Sequence, residues 1–110
     1  MIGVEIFFTE DSDLSEYEAI NKGYRLDVFV KIHQNIYRVS VYTILRLQQD
    51  FETEVMEDIG FYRPDPNLVL VKNSNKDEII RTINWLVKQE YFSHLKNSSS
   101  VDINELVKVQ

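Results

Sequence analysis

Tyr24–Thr43, YRLDVFVKIHQNIYRVSVYT, decides the fold. Leu26, Val28, Val30 and Ile32 alternate with Arg25, Asp27, Phe29 and Lys31. Past the polar turn His33-Gln34-Asn35, Tyr37, Val39 and Val41 alternate with Ile36, Arg38, Ser40 and Tyr42. Side chains on a strand repeat every two residues, so the stretch predicts an antiparallel hairpin with one aliphatic face. Its second face mixes opposite charges with aromatic rings, a composition that points to contact with another macromolecule.

The neighbouring segments extend this ladder. Ile2–Phe8 alternates in the same way and predicts a first strand. Thr9–Gly23 reads as an acidic connection with a helical turn near Leu14–Ala19. Thr43 is a fitting N-cap for a helix whose apolar stripe is Ile44, Leu47, Phe51, Val55 and Ile59, and Gly60 is placed to end it. Phe61–Asn67 holds both prolines and reads as a loop. The unbroken run Leu68–Val71 predicts a strand buried on both faces. Asn75-Lys76-Asp77-Glu78 has capping-box form and opens a second amphipathic helix with Ile80, Ile83, Val87 and Tyr91 inward, widened by Ile79 and Leu86. The expected fold is an α+β two-layer sandwich: a mainly antiparallel four-stranded sheet, order β-β-β-α-β-α, with both helices on one face. Residues 1–95 form that single domain, and 96–110 a linker and a short tail that adds a strand or frays. Its Val101, Ile103 and Leu106 are expected to fold back over Trp85 and Phe92, the alternative being Trp85 as a contact residue beside Arg81 and Lys88.

Charge and composition narrow the function. The chain has 110 residues and net charge −6, enough for one core. Six acids and no Lys or Arg occupy residues 1–21, and Asp50, Glu52, Glu54, Glu57 and Asp58 stand unopposed in 47–62. Such fields repel phosphate backbones and favour a basic protein partner, so no nucleic acid is expected. With no cysteine there is no disulfide, thiolate metal site or cysteine nucleophile. The apolar runs are far too short to span a bilayer, and the N-terminus lacks the basic start of a signal peptide, so the expected location is the cytoplasm.

Chemistry finds little footing. His33 and His94 belong to no nucleophile motif, and the three glycines do not build a phosphate loop. Counting from Asp11, the sixth and twelfth positions of a calcium loop hold Glu16 and Lys22, which fails the pattern. Glu5 and Asp27 lie beside Arg25 and Lys31 and read as ordinary cross-strand pairs. The expectation is therefore a non-enzyme without metal or cofactor. For partner contact the candidates are Phe7, Phe29 and Tyr42 on the mixed face. For steering they are the acids Glu10, Asp11, Asp13, Glu52, Glu54 and Glu57.

The words VEIFFTEDSDL, YRLDVFVKI, YRVSVYT running into ILRL, LVLV and NKDEIIRTINWLV, in this order, resemble the immunity protein 8 family of bacterial polymorphic toxin systems. The resemblance covers about Val4–Phe92 and brings no catalytic motif. It implies a cytoplasmic protein that binds and neutralises a cognate toxin. A small structural or regulatory subunit, forming a homo-oligomer such as a homodimer through its sheet face, is the second expectation.

Overall fold

A computed structural model describes residues 3–55, 61, 67–95 and 101–110. Strands β1 (Val4–Phe8), β2 (Tyr24–Ile32), β3 (Asn35–Thr43), β4 (Leu68–Val71) and β5 (Val107–Lys108) form one open mixed sheet. Helices α1 (Asp13–Lys22), α2 (Ile44–Glu54) and α3 (Lys76–Lys88) complete an α+β fold. The strand order is β4-β3-β2-β1-β5, antiparallel except where β4 runs parallel to β3.

The hairpin forms as its alternation predicts, with one change of register. Arg25 faces Val41 and Val28 faces Val39, so Leu26 and Asp27 stand opposite the single Ser40. Two residues against one is a β-bulge, and Asp27 within it takes a positive φ of 58. The bulge moves Arg25 from the mixed face, where alternation puts it, to the aliphatic side. There its guanidinium lies 4.2 Å from the centre of the Phe8 ring.

The core is Ile6, Phe8, Val28, Val30, Tyr37, Val39 and Val41 from the sheet, closed by Val71, Ile79, Ile83 and Phe92. Helix α3 supplies Ile79 and Ile83 because its apolar stripe repeats at helical spacing. Asn75 caps it by accepting from the Glu78 amide at 2.8 Å, while the Glu78 carboxylate pairs with Arg81 instead of closing the expected box.

Four expectations are corrected. The sheet has five strands and not four, because the tail takes the strand alternative: Val107–Lys108 pairs with β1, and Val109 N–H donates to the Ile6 carbonyl at 2.8 Å. The tail thus docks on the sheet edge and leaves Trp85 59% exposed, while Phe92 is buried against Tyr37 and Tyr91. Strand β4 is an edge strand with Leu70 exposed, not one buried on both faces. Finally, the helices do not share a face. Tyr24 and Tyr42, which alternate with core residues, stack on the opposite side, and Arg46 of α2 lies 4.8 Å over Tyr24. Helix α2 therefore starts on the side away from α3, and Ile44 and Phe51 of its predicted stripe are exposed. Ile59 and Gly60 lie outside the described residues.

Candidate partner-binding surface

Helix α1 replaces most of what the sequence predicts to be a connection. Ten residues of mixed polarity hold little helix by themselves, so the ends and anchors matter. At the start, Ser12 Oγ accepts from the Ser15 amide (3.0 Å), and Ser15 Oγ accepts from the Ser12 amide (2.9 Å). At the finish, Gly23 adopts φ 76 and its amide donates to the Ala19 carbonyl. A β-carbon at Gly23 would stand 2.8 Å from Thr43 Oγ1 and 3.0 Å from Arg46 Cβ, so glycine also permits α1 and α2 to meet.

The helix is held to the body by small and polar groups. Ala19 is its buried residue, and its carbonyl accepts from Ser74 Oγ at 2.9 Å. Glu16 takes the Arg25 guanidinium at 2.8 Å and the Lys76 amide at 3.0 and 3.1 Å, so one carboxylate ties α1 to β2 and to the N-terminus of α3. The larger apolar side chains face outward instead: Leu14 is 64%, Tyr17 67% and Ile20 44% exposed. At spacings of three they form one stripe along the helix. Ile20 and Leu45, itself exposed, line a common cleft, so the stripe continues onto α2. Isolated exposed apolar residues are normal, but a continuous row on an element anchored by polar contacts makes α1 the candidate surface.

The predicted steering acids divide between this surface and the fold. Glu10, Asp13 and Glu18, the last not singled out in sequence, are exposed along α1 and its approach. Asp11 is drawn into a bond of 3.0 Å with Lys76 Nζ. Glu52 is exposed and Glu54 half-buried at the far end of α2, away from the Gly23–Thr43 junction. Glu57 lies outside the described residues. Thus α1 gathers acids and apolar area on one element, and Glu52 and Glu54 are not part of that patch.

The predicted contact rings have a different environment. Phe7 and Phe29 are direct cross-strand neighbours on the mixed face, and Tyr42 stacks on Tyr24 with ring centres 5.4 Å apart. All three are 6–7% exposed, so they offer a partner almost no area. The charges of that face pair internally, Asp27 with Arg38 at 2.6 Å and Glu5 with Lys108 at 3.6 Å. Sequence reasoning put Leu14 and Tyr17 in a helical turn of the acidic connection, as α1 bears out, but singled out none of Leu14, Tyr17 and Ile20 as contact residues. Their spacing of three was the available signal.

His33 and His94 are both exposed. Among the described residues no group of three His, Cys, Asp or Glu side chains could hold a metal ion, and no helix is long and apolar enough to cross a membrane. No family model, curated protein or solved structure matches this chain.

Proposed function

We propose that this chain is an immunity-type protein that binds and neutralises a basic toxin domain through the outward face of α1. The observation that carries the reading is the reversed polarity of that helix: Glu16 and Ala19 hold it to the body, while Leu14, Tyr17 and Ile20 face solvent. A large aromatic flanked by aliphatic side chains is the usual centre of a protein interface, and the acids Glu10, Asp13 and Glu18 form a charged rim. That rim also selects the occupant. Two copies meeting through this face would oppose like charges, whereas a basic protein would meet complementary ones.

Self-association through the sheet face, the competing reading, has less to work with, since Phe7, Phe29 and Tyr42 are already buried. The test is to search the neighbouring genes for a small basic toxin domain and to co-express any such domain with this chain. The parent chain should restore growth, and Tyr17→Asp should lose protection while staying folded, because Tyr17 is two-thirds exposed. Full protection by a folded Tyr17→Asp variant would refute the α1 surface. A chain whose mass in solution doubles with concentration, and whose dimer Tyr17→Asp leaves intact, would favour the oligomer.

A further inference from the structure

A second feature of the same region has the opposite charge. Where the C-terminus of α1, the N-terminus of α2 and the segment after β4 converge, there is a cleft of about 300 Å³. Its walls include Lys22, Arg46 and Lys72, and no Asp or Glu lines it. In a chain with 18 acids and 12 bases, a cleft with two lysines and no lining carboxylate runs against the overall balance, while Arg46 contributes its stem and has its charge engaged by Asp50 and Tyr24. Lys22 and Lys72 are exposed, and neither has an ion-pair partner among the described residues. Arg46 Nε lies 3.0 Å from Asp50 Oδ1, yet this buried nitrogen makes no well-aligned hydrogen bond.

Topology gives the cleft a second, independent character. Strands β3 and β4 are parallel neighbours, and the cleft lies beyond their carboxyl ends, at Thr43 and Lys72. The helices that follow them, α2 and α3, start on opposite faces of the sheet. Adjacent parallel strands whose connections diverge in this way open a crevice, and it is where open α/β sheets bind ligands. The first amides of α2 border it and add partial positive charge.

We propose that this cleft binds the phosphoryl group of a small phosphomonoester. The two exposed lysines, Lys22 and Lys72, and a helix N-terminus suit a dianion better than a monoanion. Ile20 and Leu45 supply an apolar wall for the body of the molecule, and the volume lies at the small end of the range for such sites.

The test needs no toxin partner, so its outcome is separate from that of the proposed immunity function. Phenyl phosphate, inorganic phosphate and acetate are each titrated at constant ionic strength into isotopically labelled protein, and amide resonances are followed. Phenyl phosphate should give saturable shifts at Gly23, at residues 44–46 and at Lys72 and Asn73, with inorganic phosphate weaker and acetate weakest. Lys72→Glu should raise the phenyl phosphate Kd about tenfold or more, the usual worth of one charge-assisted contact, and Lys22→Glu with Lys72→Glu should abolish saturation. Both lysines are exposed, and unchanged resonances of Val28 and Val39 in the core confirm that the variants fold. Shifts that stay linear with concentration, saturate elsewhere, or persist in the double variant would overturn the site. Acetate binding as tightly as phenyl phosphate would overturn the phosphoryl assignment.

Discussion

Glu16 is the residue whose loss this fold should tolerate least among its surface-connected acids. Its carboxylate accepts from Arg25 at 2.8 Å and from the Lys76 amide at 3.0 and 3.1 Å. Arg25 is 10% exposed in its side chain, held over Phe8, so Glu16→Ala strands a nearly buried cation and leaves an α3 amide without its acceptor. Removing one partner of a fully buried pair costs roughly 3–5 kcal/mol. Glu16 is 31% exposed, so water replaces part of what is lost and about 2–3 kcal/mol is the reasoned figure. For a domain of this size that lowers the melting temperature by roughly 8–13 °C. Urea unfolding gives the free energy directly, with the slope unchanged if both states keep their extent. Arg25→Met should cost less, because it removes the charge and leaves an apolar stem over Phe8, and the double variant should recover part of the Glu16→Ala loss. Glu18→Ala on the same helix is the control and should fall within about 0.5 kcal/mol of the parent. A Glu16→Ala variant as stable as that control would refute the claim that this carboxylate anchors α1.

Two further outcomes follow from the α1 geometry. Gly23→Ala places a β-carbon 2.8 Å from Thr43 Oγ1 at φ 76, so roughly 2–4 kcal/mol of stability should be lost, visible as a lower urea midpoint. A loss under about 0.5 kcal/mol would mean that the α1–α2 junction yields easily. Converting Glu10, Asp13 and Glu18 together to Lys should slow association with a basic toxin domain about tenfold or more at low salt and flatten its salt dependence, as stopped-flow mixing would report. An unchanged on-rate would remove these acids from the encounter.

The hairpin was legible because period-two alternation over nine residues per strand leaves one register in which the aliphatic face is buried. Its bulge was not. Arg25, Leu26 and Asp27 keep formal alternation, and the slip rests on the left-handed backbone of Asp27, which the residue type permits without announcing. The existence of α2 and α3 was legible from their caps and stripes. Their placement on opposite faces was not, because a stripe says which side of a helix is apolar and nothing about which side of a sheet receives it. LVLV misled for a related reason: an apolar run does not distinguish a central strand from an edge strand with Leu70 outward. Helix α1 was legible only as a turn near Leu14–Ala19, because its larger apolar residues face solvent, which removes the inward stripe that sequence reading depends on.

The charge distribution along α1 links the two proposals. Of the acids in residues 9–21, Glu16 and Asp11 are engaged by Arg25 and Lys76, which leaves Glu10, Asp13 and Glu18 to set the field. At the other end of the helix Lys22 joins Arg46 and Lys72 in the cleft. The polarity, acidic start and basic finish, also suits the helix dipole. Helix α1, which carries the Leu14–Tyr17–Ile20 stripe over about 9 Å, therefore runs from a negative end at Asp13 to a positive one at Lys22 over nearly three helical turns, about 14 Å. That length exceeds the screening distance of roughly 8–10 Å at physiological salt, so the two ends act separately on an approaching partner. In the proposed complex, a basic toxin domain would be drawn to the Leu14 end and repelled at the Ile20 end, which would orient it along the stripe. Phosphate bound in the cleft would cancel that repulsion. Occupancy of the cleft is thus expected to tighten toxin binding, with the same coupling read in either direction.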